Sequence, residues 1–338
     1  MAKKRVGIQL PKQAQNQTVE QRWALELEGL APVADVIEIR ADTPAEFAAG
    51  VADVDAIITS WGLRIDRQVI ENLKRCVVIG VGSVGVDMVD IEAATAAGIV
   101  VTNVPDVFIE EVADHALMLL LDVARRTSQM ARMARDGEWY EARPILSRVP
   151  RLLGQTLGLF AFGNVARCTA RRAQAFGLRV LAYDPYVSEL EITAAGVEPV
   201  GFSELVERSD YLSVHAPLND ETFHAIDARA FARMKPTAVV VNTARGPIID
   251  EAALIETLTH RRIAGAAVDA FVPEPLPADH PFRSLPNVLA TPHIGYVTED
   301  TYRIFYGETV DNIAGFLAGT PKRVIGQEFK QYNYTGIR

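Results

Sequence analysis

Short apolar runs alternate with amphipathic stretches along almost the whole chain, the rhythm of strands interleaved with helices. Residues 5–9, 35–40, 56–60, 76–81 and 99–102 read as strands, with helical stretches at 19–29, 43–51, 66–73 and 91–97 between them. A broad apolar stripe over 110–135 predicts one long continuous helix, and the polar, proline-bearing segment 139–150 predicts a loop. The alternation then resumes. Strands are expected at 156–162, 179–183, 198–199, 211–215, 238–242, 265–268 and 288–290, and the helices between them at 165–176, 192–195, 203–208, 228–233 and 251–259. A last helix is expected over 299–317. Strands alternating with helices imply an α/β protein whose parallel sheets are covered on both faces.

The stretch 152–186 carries the first chemistry. A buried strand, a small-residue turn, a helix stopped by Gly177 and a second strand ending in Asp184 form the unit that binds a dinucleotide. The G-x-G-x-x-G register falls on Ala161-Phe162-Gly163-Asn164-Val165-Ala166, so the middle glycine, where backbone approaches pyrophosphate most closely, is kept. Asp184 lies about 20 residues past Gly163, the spacing of an acid that accepts from the adenosine ribose hydroxyls. An acid there repels a 2′-phosphate, so NAD(H) is favoured over NADP(H).

With 338 residues the chain has room for two domains of roughly 150 residues each. Its net charge of −9 argues against a nucleic-acid or anionic-membrane surface, and no apolar run reaches membrane-spanning length. Cys76 and Cys168 have neither metal-ligand spacing nor the numbers for a disulfide framework, and a cytoplasmic location is expected. The first α/β unit lacks a nucleotide fingerprint. It does have a glycine-rich loop at a strand's carboxyl end, Gly80-Val81-Gly82-Ser83-Val84-Gly85, where exposed N–H groups can hold a small anion.

Polar residues stand repeatedly at the carboxyl ends of strands, the edge where open α/β sheets bind ligands. Three of them make a plausible catalytic set: Arg245, Glu274 and His293. Transfer of hydride between a 2-hydroxy acid and NAD needs a base for the hydroxyl proton, a task suited to imidazole. A carboxylate beside it fixes the ring, and a guanidinium can bind the substrate carboxylate through forked hydrogen bonds.

The strings VNTARGPIIDEAAL (241–254), AAVDAFVPEPL (266–276) and TPHIG (291–295) resemble the D-isomer-specific 2-hydroxyacid dehydrogenase family. So do VGSVGVDMVDIEAATAAGIVVTNVP (81–105), VADHALMLLL (112–121) and DYLSVHAPL (210–218). The resemblance implies two doubly wound parallel-sheet domains, a Rossmann NAD-binding domain (104–295) inserted into a flavodoxin-like substrate domain (1–103 plus 296–338). It implies His293 as general acid/base, Glu274 as its partner and Arg245 as the substrate-orienting group, with Ser83, Val84 and Gly85 holding the substrate carboxylate. Gly163, Asn164 and Val165 would meet the pyrophosphate and Asp184 the ribose; His215, Ala216 and Pro217 would flank the adenosine half. Thr243, Ala244 and Asp269 would lie near the nicotinamide, and Trp61 and Tyr296 would line the pocket. The substrate is expected to be a small 2-keto or 2-hydroxy acid, unphosphorylated, such as glyoxylate or hydroxypyruvate. A homodimer joined through the nucleotide domains is implied. Ala161, Met88 and Ile109 depart from the family's usual residues. The segment TNVPDVFIEEVADHAL also resembles the C-terminal-binding-protein branch, so an NAD-sensing binding protein with little turnover stands as the alternative.

Overall fold

The structure is a computed structural model and describes residues 3–10, 24–59, 62–147, 149–321 and 323–325. Trp61 and the tail 326–338 lie outside the described residues, as does the first part of the helix expected over 19–29. The chain divides into two compact units, Met1–Val107 with Leu218–Glu221 and Thr298–Arg338, and Phe108–Pro217 with Thr222–Val297.

The first unit is built on five parallel strands, β1 (Lys4–Leu10), β2 (Ala34–Arg40), β3 (Ala56–Thr59), β4 (Val78–Val81) and β5 (Val100–Thr102), in the order β2-β1-β3-β4-β5. That is the flavodoxin-like doubly wound order. Both faces are buried, and side chains alternate between them as the pleat requires. Ile57 and Ile79 join one core with Phe47 and Val51, while Ile58 and Val78 join another with Val310 and Ile313 of the Thr301–Leu317 helix. The sheet recruits that helix because a run apolar on both faces must be covered twice.

The second unit carries seven parallel strands: β6 (Thr156–Phe160), β7 (Arg179–Tyr183), β8 (Glu198–Pro199), β9 (Tyr211–Val214), β10 (Val239–Asn242), β11 (Gly265–Val268) and β12 (Val288–Ala290). Their order is β12-β11-β10-β9-β6-β7-β8, with the reversal of a Rossmann sheet at β6. Leu157, Leu159, Val180 and Val241 pack on Leu119 and Leu120 of the Ile109–Arg125 helix and on Ala166, Ala170 and Ala173 of the Asn164–Ala175 helix. The alanines let that helix lie close to the sheet. Arg172 donates to Asp114 and Arg171 to Glu110, tying the two helices together at their exposed edge.

Three local expectations change. The long helix over 110–135 breaks at Arg126, whose φ is +54°, into Ile109–Arg125 and Thr127–Arg135. The Asp122 carboxylate takes both the Ser128 amide and its hydroxyl, a side-chain acceptor that caps the second helix and outcompetes continuation of the first. The segment expected to be a loop contains a short helix, Ala142–Leu146. Strand β6 stops at Phe160 because Ala161 turns to φ +78°.

That left-handed angle is the one glycine adopts without cost, whereas an L side chain loses roughly 1–2 kcal/mol there. Relief of the strain outweighs the chain entropy that glycine adds to the unfolded state. Ala161→Gly is therefore expected to raise stability by about 0.5–1 kcal/mol, read as a higher denaturation midpoint.

Candidate active site

Parallel pairing aligns the carboxyl ends of six strands. Phe160 pairs with Tyr183 and with Val214, Val214 with Asn242, Asn242 with Val268, and Val268 with Ala290. The next residue on each strand is Ala161, Asp184, His215, Thr243, Asp269 and Thr291, so one edge of the sheet gathers Asp184, His215, Thr243 and Asp269 from the expected cofactor residues.

Gly163 caps the Asn164–Ala175 helix with no side-chain hydrogen bond, and the N–H groups of Asn164, Val165 and Ala166 donate to nothing among the described residues. A Cβ built on Gly163 would meet no atom within 4 Å, so the space above these amides is open. Unfilled donors on a 12-residue helix facing open space suit a pyrophosphate. Asp184 is locked beside them: Oδ2 accepts from Phe162 N at 2.8 Å and Oδ1 from Tyr186 N at 2.8 Å. Arg167 lies over the Phe162 ring, 4.8 Å from its centroid. Farther along the edge, Thr243 Oγ1 is buried with no hydrogen-bond partner among the described residues, an acceptor and donor a ligand could use. These features fit a nicotinamide dinucleotide.

His215 Nε2 lies 2.9 Å from Ser213 Oγ, and Pro217 O accepts from Thr222 Oγ1 at 2.6 Å, while Ala216 is buried. Desolvation of the half-buried His215 imidazole pushes it down to about 4, so it is neutral near pH 7. Asp269 is buried. Burial would raise its pKa, but donors from His115, the Thr291 hydroxyl and the amides of Ile294 and Gly295 outweigh that and hold it below the usual carboxylate value. Three of its acceptor positions face the Thr291–Gly295 turn at 2.6, 3.0 and 2.9 Å.

Glu274 and His293 meet. His293 Nδ1 lies 2.8 Å from Glu274 Oε2, and Glu274 Oε1 accepts from Phe271 N at 2.9 Å, so both carboxylate oxygens are committed. A carboxylate can only accept, which places a proton on Nδ1. Tyr296 stands edge-on to the His293 ring at 6.0 Å between centroids. Arg245 leaves the end of β10, its Nη1 donating to Ala244 O at 3.0 Å.

The neighbour of Arg245 explains how this strand end approaches Glu274. A Cβ on Gly246 would sit 2.5 Å from both C and O of Phe271, closer than any side chain tolerates against backbone. Glycine alone lets the Arg245 turn press on Phe271, whose amide holds Glu274 Oε1. A second brace holds that segment: Val272 N donates to Glu251 Oε2 at 3.3 Å, and His280 Nε2 lies 3.0 Å from Glu251 Oε1. Phe282 N donates to His280 Nδ1, which makes Nε2 the donor toward Glu251. Sequence reasoning gave no role to Gly246, Glu251, His280, His115 and Thr291. Two had a signal, Gly246 directly after the candidate arginine and Thr291 at a strand's carboxyl end; the others had none.

In the first unit, the N–H groups of Ser83, Val84 and Gly85 have no acceptor among the described residues. The loop is held from below: Ser83 O accepts from Val104 N, Val84 O from Asn103 Nδ2 and Gly85 O from Ser83 Oγ. Backbone amides fixed in place with their N–H groups unused form an anion cradle. Among the described residues no cluster of three or more His, Cys, Asp or Glu is placed to hold a metal ion, and no helix is long and apolar enough to cross a membrane.

Residues 117–295 match the model of the D-isomer specific 2-hydroxyacid dehydrogenase NAD-binding domain. The chain is 38% identical over 290 residues to a glyoxylate reductase of Korarchaeum cryptofilum, covering 85% of this chain and 87% of that one. The chain belongs to the D-isomer specific 2-hydroxyacid dehydrogenase family. It is also 36% identical over 298 residues to a D-3-phosphoglycerate dehydrogenase of Methanocaldococcus jannaschii, covering 84% of this chain but 56% of that one. Among solved structures it is similar to an NADPH-dependent glyoxylate/hydroxypyruvate reductase from Sinorhizobium meliloti in complex with NADP and malonate, with TM-score 0.83, 30% identity and 98% of each chain covered. Like its family, the protein is a 2-hydroxyacid oxidoreductase with a Rossmann domain for a nicotinamide dinucleotide.

Two outcomes test this geometry. Gly246→Ala forces a methyl group against the Phe271 carbonyl and is expected to cost about 2–3 kcal/mol of stability in denaturant titration, with activity falling alongside. His215 titrates near 6.5 when unfolded, well above its folded value of about 4. Between these values the unfolded chain binds a proton that the folded chain refuses, so stability falls as pH drops through the window and levels off below it. His215→Gln is expected to flatten that slope in thermal melts at stepped pH.

Proposed function

We propose that the protein is an NADH-preferring reductase of a small, unphosphorylated 2-keto acid, with glyoxylate and hydroxypyruvate the first candidates, running reversibly with the D-2-hydroxy acid. The observation that carries this reading is the His293–Glu274 pair, 2.8 Å apart beside a dinucleotide-binding sheet edge. Bound NADH supplies the hydride that reduces C2. His293 gives the C2 oxygen a proton from Nε2 and takes it back in the oxidation direction. Glu274 keeps the ring in that orientation, because its second oxygen is anchored by the Phe271 amide. Arg245 orients the substrate carboxylate and polarises the keto oxygen. The amides of Ser83, Val84 and Gly85 take the carboxylate, and Trp61 and Tyr296 are the candidate side-chain contacts.

For the cofactor, the reading assigns the pyrophosphate to Gly163, Asn164 and Val165 and the adenosine half to Asp184, His215, Ala216 and Pro217. It assigns the nicotinamide to Thr243, Ala244 and Asp269, whose Oδ2 keeps one acceptor position for the carboxamide. Asp184 supports a preference for NADH, since its fixed carboxylate would face a 2′-phosphate directly. Near-full-length similarity to a glyoxylate reductase supports the substrate class. A homodimer through the nucleotide domains is supported by exposed Trp139 and Tyr140, 66% and 76% accessible in the single chain. Both cysteines are free thiols, in keeping with a cytoplasmic location.

The deciding assay is NAD(P)H oxidation with glyoxylate, hydroxypyruvate, pyruvate, phenylpyruvate and 3-phosphohydroxypyruvate. Turnover of an unphosphorylated acid with NADH at least tenfold better than with NADPH is expected; preference for the phosphorylated acid would overturn the substrate class. Asp184→Ala should narrow the NADH-to-NADPH ratio at least tenfold, about 1.4 kcal/mol. Arg245→Ala should cut kcat/KM by roughly 10²-fold or more while the NADH Kd stays within threefold.

A further inference from the structure

We propose that His115 is a positioning residue for proton transfer, acting through Thr291 and Asp269 on the turn that carries His293. The proposal rests on the reading of His293 as the acid/base.

His293 sits at φ +54°, in the left-handed region where an L side chain is strained by roughly 1–2 kcal/mol. Such a conformation persists where its surroundings over-determine it. Here the flanks of His293 are held by one carboxylate. Asp269 Oδ1 accepts from the Thr291 hydroxyl at 2.6 Å and from Ile294 N at 3.0 Å, and Oδ2 accepts from Gly295 N at 2.9 Å. These anchors lie two residues before His293 and one and two residues after it. The ring is thereby aimed before Glu274 touches it.

Asp269 is only 2% exposed, and a buried carboxylate needs a full set of donors. His115 reaches the Thr291 anchor of this carboxylate from the middle of the Ile109–Arg125 helix, which packs across β10 and β11. Its side chain is 11% exposed, and Nε2 lies 3.4 Å from Asp269 Oδ1 and 3.1 Å from Thr291 Oγ1. The direction of the chain is fixed by proton count. The Thr291 hydroxyl proton is used on Asp269, so Thr291 Oγ1 must accept, and His115 must carry its proton on Nε2. Gly295 is fitted to the same pair, since a Cβ there would come within 3.1 Å of Asp269 Oδ2 and 3.3 Å of His115 Cδ2. His115 thus links a rigid helix to the turn through Thr291. Without its donor the Thr291 anchor loosens, and a shift of about 1 Å at His293 is enough to lower catalysis by about 10²-fold.

The test follows whichever of glyoxylate and hydroxypyruvate the wild-type enzyme reduces faster, with NADH, in His115→Asn, His115→Gln, Thr291→Val and His293→Ala. Glutamine places an N–H donor where imidazole Nε2 stands; asparagine stops short of it. Expected are a 10–100-fold loss of kcat in His115→Asn with the keto-acid KM within threefold, recovery of at least a third of wild-type kcat in His115→Gln, and an inactive His293→Ala. Thr291→Val should lose kcat to a similar degree, and its combination with His115→Asn should be no worse than either alone. If His115→Asn does not fold, judged by circular dichroism, the Gln and Val variants still decide. A fully active His115→Asn or Thr291→Val beside an inactive His293→Ala would overturn this proposal and leave the acid/base reading standing. Glutamine as damaging as asparagine would overturn it in favour of packing. An active His293→Ala would overturn the acid/base reading and this proposal with it.

Discussion

In-register parallel pairing in the seven-stranded sheet is the constraint on which the rest of the site depends. Because each crossover returns the chain to the opposite end of the sheet, every strand delivers its next residue to the same edge. The register is enforced by burial. A slip of one residue would turn Leu157, Leu159, Val180 and Val241 away from the helices that cover them and break the packing on both faces. Hydrophobic packing therefore fixes where Asp184, His215, Thr243, Asp269 and Thr291 stand, although none of these residues contributes much apolar surface.

Beyond that edge the chain leaves regular structure, and carboxylates take over the task of holding it. Asp184 takes the Phe162 amide of the fingerprint turn and the Tyr186 amide after β7, Glu274 takes the Phe271 amide, Glu251 takes the Val272 amide, and Asp269 takes two amides and a hydroxyl. Each charge is stabilised by backbone donors that would otherwise lack partners, so one set of hydrogen bonds serves both the carboxylate and the loop. The backbone strain at Ala161 and His293 sits between such anchors. A rigid sheet supports both, and neither turn would hold its angle as an isolated peptide.

How much could be read without coordinates follows the same division. The α/β class was legible because short continuous apolar runs and helical spacing are local and alternate through the chain. The single long helix over 110–135 was misread because periodicity does not register one competing acceptor, Asp122, that ends a helix at Arg126. The short helix Ala142–Leu146 was missed because its one turn has no buried side chain and so no apolar period. Gly246 could have been noticed, since a glycine after a candidate arginine invites the question of what approaches it.

By itself the sequence determined the alternation of strands and helices, the polar strand ends, the Gly163–Asp184 unit and the motifs shared with the dehydrogenase family. These are properties of neighbouring residues or of short windows, and local chemistry is enough to state them. Only the tertiary structure decided that Glu274 and His293 meet at hydrogen-bonding distance, that Gly246 abuts the Phe271 carbonyl, and that His115 reaches Thr291 from a helix 176 residues earlier in the chain. Such contacts join segments far apart in sequence. They exist because the burial of two sheet faces brings those segments together, and no local pattern encodes which distant atom will lie opposite.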